Sequence, residues 1–181
     1  MKKLVIVSAL AAVLGSVGMA QAASTGTITF EGILTATTCE VLVDGQAADA
    51  LITLPTVGTN QLTKLGHTAG QTGFNMALAN CEGTLKTASA FFEAGASVDL
   101  VSGRLKNMTG DATNVSLQLR DASHASQNVI AVGNSNQTKE TTYVDIASGS
   151  ANLPYFVEYY AEGPTGAGTV ASNVIYSIQY K

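Results

Sequence analysis

Three stretches of the chain alternate apolar and polar residues with a period of two. In "GFNMALANC" Phe74, Met76 and Leu78 are in phase, in "NVSLQLRD" Val115, Leu117 and Leu119, and in "NVIYSIQYK" Val174, Tyr176, Ile178 and Tyr180. Such alternation predicts strands with one face in a core. Shorter runs predict further strands at "ATTCEVLV", "DALITL", "ASAFFEA", "SVDLVSGRL", "TTYVDIA" and "LPYFVEYYA", while "TNQLTKLGHTA" reads as a short helix or an irregular loop. "EGPTGAG" at 162–168 predicts a turn and an exposed hairpin tip, and Pro55, Pro154 and Pro164 fall beside turns or at strand starts. No long segment has helical period and no repeat of fixed length is visible. Many short strands separated by turn residues point to an all-β, two-sheet sandwich.

A further alternating run lies near the front. In "STGTITFEGIL", residues 24–34, Ser24, Gly26, Ile28 and Phe30 share one side of an extended strand and Thr25, Thr27, Thr29 and Glu31 the other. An isolated strand is unstable, and a residue or two before it cannot supply a hairpin partner. Read from periodicity alone, it is either the first strand of its own sandwich or a strand for another sheet.

Composition narrows the setting. Lys2 and Lys3, the apolar run "LVIVSALAAVLGSVGMA" and "AQA" at 20–22 have the three-part layout of a secretory signal peptide, with cleavage after Ala22 and a cut after Ala20 as the alternative. The competing reading is a membrane anchor, for which the run is near the lower length limit. Removing residues 1–22 takes away two lysines and no acid, moving the formal charge from −4 to −6. No basic patch remains for nucleic acid. The remaining 159 of 181 residues suit one domain with a sizeable core. Cys39 and Cys81, an even pair without metal-type spacing in an exported chain, read as one disulfide rather than a redox or metal pair. Closing that loop is worth about 4 kcal/mol on the chain-entropy account.

The inventory for catalysis is thin. His67 and His124 both lie in polar, turn-like surroundings. Asp121, His124 and a serine could be imagined as an acyl-transfer set, but there is no G-x-S-x-G elbow. "GHTAGQTG" lacks both the phosphate-loop and the dinucleotide patterns. Nothing indicates a cofactor or a metal. Sequons at Asn107, Asn114 and Asn136 are equally explained by an Asn- and Thr-rich composition. An exported hydrolase and a self-complete carbohydrate-binding sandwich are the alternatives from other classes, and the chain has no Trp to line a sugar pocket.

Taken in order, "GTITFEGILTATTC", "GFNMALANC", "ATNVSLQLRD", "LPYFVEYYA" and "NVIYSIQYK" resemble the chaperone–usher fimbrial pilins, in particular the major subunits of type 1-like fimbriae, over essentially the whole exported chain. The resemblance implies an incomplete immunoglobulin-like β-sandwich completed by a strand donated from another subunit. It implies a division into a signal peptide at 1–22, a donor-strand extension at 23–34 and a pilin domain at 35–181. Donor residues would be Ser24, Gly26, Ile28 and Phe30, with Gly26 at a shallow position, and the extension is shorter than in some relatives. A periodic strand of Val174, Tyr176, Ile178 and Tyr180, with the Lys181 carboxylate, would meet a periplasmic chaperone. The implied partners are neighbouring pilin subunits, that chaperone and an outer-membrane usher. The implied role is a structural, non-enzymatic subunit of a cell-surface fimbria supporting adhesion, as major shaft subunit or, alternatively, as a minor adaptor or tip subunit.

Overall fold

The computed structural model describes residues 26–32, 34, 36 and 38–181. The chain forms two units, 1–33 and 34–181. Of the first, residues 26–32 are without regular secondary structure; the predicted signal peptide and Ser24 lie outside the described residues.

The second unit is an antiparallel sandwich. Its strands are β1 (Thr38–Val43), β2 (Thr68–Glu82), β3 (Thr87–Phe92), β4 (Val98–Asp99), β5 (Arg104–Lys106), β6 (Val115–Asp121), β7 (Val129–Ile130), β8 (Val144–Asp145), β9 (Ala151–Ala161) and β10 (Tyr176–Tyr180). One 3₁₀ turn (Thr59–Gln61) and one short helix, α1 (Gln137–Glu140), interrupt them. The large sheet runs β1-β2-β9-β6-β5-β4 with β7 beside β6, and the small sheet runs β10-β3-β8.

Alternation decides which face goes inward. Met76 and Leu78 of β2, Leu117 and Leu119 of β6, and Leu153, Tyr155 and Val157 of β9 are buried against Ala88, Ala90 and Phe92 of the small sheet. Tyr155 joins the layers: its ring meets Phe92 edge-on at 5.1 Å, and its hydroxyl accepts the Ala90 N–H at 3.1 Å. Such aromatic pairs favour edge-to-face geometry, and a buried hydroxyl seeks a partner. Further along β3, β8 has ended, and the side chain of Gln137 stands in for a strand. Its Oε1 accepts the Phe92 N–H at 3.0 Å and its Nε2 donates to the Phe92 carbonyl at 2.9 Å. Burying β3 beyond β8 therefore leaves none of these main-chain groups unsatisfied.

Two predicted features differ. "DALITL" is without regular secondary structure and joins no sheet among the described residues. Its Ile52 and Leu54 pack on the core without a neighbouring strand to pair with. The segment 162–168 is no hairpin tip, because β9 and β10 lie in different sheets. It crosses between layers and packs against 111–114, so closely that a Cβ on Gly166 would strike the Thr113 hydroxyl and one on Gly168 the Ala112 amide. Pro154 lies in β9 where its carbonyl faces Ala122, just past the end of β6, so the missing N–H leaves no gap in the ladder.

Candidate functional site: an open sheet edge and its groove

β10 has a partner on one side, β3. Lys181 and Thr87 exchange N–H···O bonds at 2.9 and 3.0 Å, and the Glu93 N–H donates to the Ile175 carbonyl at 2.8 Å. In an antiparallel ladder these bonded positions recur every second residue. Residues 175, 177, 179 and 181 therefore turn their main-chain groups to β3, and 174, 176, 178 and 180 turn theirs to the open edge. Val174, Tyr176, Ile178 and Tyr180 also pack their side chains on the core. The predicted strand residues thus share a core-facing surface and a ladder that no other strand takes up among the described residues.

Beside this edge runs an apolar groove of about 340 Å³. Its floor is Phe74, Met76, Leu117, Leu119 and Val157, and its walls are segment 48–54 and segment 172–176. A second cavity of about 490 Å³ is lined by Val115 and Tyr159 of the same two strands, and by Val57, Leu62 and residues 165–170. The two follow one another along β6 and β9. Ser172 lines the groove, and its hydroxyl is the buried side-chain oxygen without a hydrogen-bond partner among the described residues. Leu51, on the lip, is 78 % exposed. Contiguous exposed apolar surface of this kind marks an interaction site.

Two tyrosines of β10 cross to the other side. The Tyr180 hydroxyl accepts the Cys39 N–H at 3.0 Å, and the Tyr176 hydroxyl donates to the Ala48 carbonyl at 2.8 Å. Burial raises the pKa of both phenols, with Asp49 adding to the effect at Tyr176 and the Cys39 N–H opposing it at Tyr180. Cys39 is itself fixed by a disulfide to Cys81 on β2, with Cα atoms 4.1 Å apart. Lys181 is held by its neighbours: its main-chain oxygen accepts the Lys86 and Thr87 amides, and its ammonium lies 3.6 Å from the centre of the Tyr143 ring.

Of the donor residues predicted from sequence, Gly26, Ile28 and Phe30 are described. Ile28 is 76 % exposed and Phe30 88 %. Large apolar side chains so exposed offer apolar surface to a partner.

The residues considered for catalysis are otherwise engaged. The Asp121 carboxylate accepts the N–H groups of Ser123 and Thr142 at 2.9 and 2.7 Å, and the His124 Nδ1 accepts that of Ser126 at 3.1 Å. Sequence reading missed a different cluster. Asp111 accepts both the main-chain N–H and the hydroxyl of Thr169, and Asn107 donates to the Ala112 and Thr169 carbonyls, so loop 107–112 clasps the segment leading into β10. The bonds to Thr169 link residues about sixty positions apart, for which a single sequence carries no local sign.

The architecture is the incomplete immunoglobulin-like sandwich of a pilin. It matches the crystal structure of the P pilus rod subunit PapA with a TM-score of 0.60 and 16 % identity, covering 79 % of this chain and 99 % of that one. The family model described as Type-1 fimbrial protein, A matches residues 54–181. The major fimbrial subunit SMF-1 of Stenotrophomonas maltophilia is 36 % identical over 92 % of this chain and 99 % of its own. The F17 fimbrial protein of Escherichia coli is 32 % identical over 93 % and 97 %. The chain belongs to the type-1 fimbrial protein family and is a structural subunit of a fimbria.

Proposed function

We propose that the chain polymerises by donor-strand exchange: the extension 23–34 of one copy enters the groove of the next and pairs with the open edge of β10. The observation that carries this reading is the free ladder of 174, 176, 178 and 180 beside an apolar groove. β-strand addition combines main-chain hydrogen bonds with pockets for alternate side chains, and pilin complementation is an established instance. Ile28 and Phe30 supply the side chains, each worth about 1.5–3 kcal/mol if fully buried. Ser24 and Gly26 take the smaller positions. Because each copy donates at one surface and accepts at another, the contact does not close on itself and a filament grows.

Before assembly, the same edge is the surface a periplasmic chaperone covers, with Val174, Tyr176, Ile178 and Tyr180 facing its strand and Lys181 at the end of the contact. An uncovered edge of this kind invites aggregation. Residues 1–22 direct export, an outer-membrane usher receives the complex, and the finished fimbria stands on the cell surface and supports adhesion. The subunit acts without catalysis, through its strand and its groove, and the likeness to a major fimbrial subunit over nearly its full length favours the shaft role.

The test is Phe30→Asp. It places a carboxylate in an apolar slot and leaves the acceptor edge intact, so fimbriae are lost while the chaperone complex is recovered at normal yield. Fimbriae at wild-type yield would remove residues 23–34 from the interface.

A further inference from the structure

We propose that Tyr176 and Tyr180 are struts that hold the vacant groove open at the width of one strand. This rests on the strand-addition reading above and concerns how the groove stays receptive.

An empty apolar groove has a driving force to close, since bringing its walls together removes apolar surface from water. Phe74, Met76, Leu117 and Val157 line its floor, and segments 48–54 and 172–176 its walls. The tyrosines oppose closure. Each side chain is anchored in β10 and ends in a hydrogen bond to a main-chain group of another segment: Tyr176 meets the Ala48 carbonyl on the groove's opposite wall, and Tyr180 the Cys39 N–H just beyond the residues that line the groove. A tyrosine side chain plus its hydrogen bond spans roughly two inter-strand spacings of about 4.8 Å, the room one strand needs between two neighbours. Closing the groove would break both bonds and leave the Cys39 N–H without its partner.

The far anchors suit the task. Cys39 is tied to β2 by its disulfide and by the β1–β2 ladder, so the Tyr180 strut presses on a fixed wall. Ala48 lies in an exposed bend, and the Tyr176 strut holds the less rigid wall. Between them stands Ile178, which has no polar atom to bridge the gap. Both tyrosines are positioning residues: they act on the incoming strand through the spacing of the walls.

Removing the hydroxyls tests this while keeping the rings. The chain from residue 23 onward, refolded without a partner, is mixed with a fluorescent peptide spanning residues 24–34, and the rate of capture is followed for wild type, Tyr176→Phe, Tyr180→Phe and the double variant. Its own extension is present in every sample alike. Each single variant is expected to slow capture roughly threefold to tenfold, the rate equivalent of one hydrogen bond, and the double variant more than either. A purely structural role would lower the unfolding midpoint and leave the capture rate unchanged. Variants capturing at the wild-type rate, whatever their midpoints, overturn the strut. Should Tyr180→Phe fail to fold, Tyr176→Phe decides, because its partner is in an exposed bend. A wild-type chain that captures no peptide instead refutes strand addition itself.

Discussion

Arg120 of β6 and Glu158 of β9 form an ion pair of 2.6 Å on the outer face of the large sheet, and the Glu158 side chain is only 5 % exposed. Gln118 donates to the same carboxylate oxygen at 2.8 Å. The outward face of a sandwich is ordinarily wet, yet here a carboxylate is screened from solvent and depends on two neighbours of the adjacent strand.

Removing one partner of a buried pair leaves an uncompensated charge, at about 3–5 kcal/mol. Arg120 is 25 % exposed, which lets some water reach the site and places Arg120→Ala toward the lower end of that range. Arg120→Ala should therefore lower stability by about 3 kcal/mol in denaturant unfolding, and Arg120→Ala with Glu158→Gln should recover part of the loss. A single variant as stable as wild type would show that the pair contributes nothing.

Acid should loosen the clasp on the segment leading into β10. The Thr169 amide, then its hydroxyl, hold the Asp111 carboxyl below the usual value of 3.8. A carboxyl with a depressed folded-state pKa contributes stability above its unfolded value, and that contribution is lost as pH falls through the folded one. Stability should thus decline below about pH 4, and Asp111→Asn should flatten this part of the profile. Asp99, whose carboxyl is lowered by the Ser102 hydroxyl and the Val101 amide, adds to the same decline and remains in the variant. An unchanged acid limb in Asp111→Asn would contradict a clasp that depends on charge.

Close backbone approach gives another prediction. A Cβ on Gly110 would meet the Thr169 carbonyl and the Asn107 side chain. Gly110→Ala should push loop 107–112 off its partner segment and lower the melting temperature by several degrees, as a loss of about 1–2 kcal/mol would. A melting temperature equal to wild type would mean that the loop yields at no cost.

Strands with a strict alternation were legible in sequence. Leu117 and Leu119, and Phe74, Met76 and Leu78, face the core as their spacing requires, while Val115 lines the second cavity. The segment 49–54 misled, because its apolar residues do pack on the core but the neighbour a strand needs is absent. Alternation reports which way a side chain points and says nothing about whether a ladder partner exists. For the same reason Tyr176 and Tyr180 were legible as inward residues, but the partners of their hydroxyls, 128 and 141 positions away, were not. Gln137 gave no signal at all: a glutamine in a polar stretch does not reveal that it replaces a strand beside Phe92.

Under the strand-addition proposal, the sandwich lacks a strand that residues 23–34 of another copy provide. The most direct measurement deletes residues 23–32, adds a synthetic peptide spanning 23–34, and records thermal unfolding. Strand addition predicts a large rise in melting temperature that saturates with peptide and disappears when the peptide carries Asp in place of Phe30. A truncated protein already stable and indifferent to the peptide would contradict it, and would mean that the fold is complete by itself.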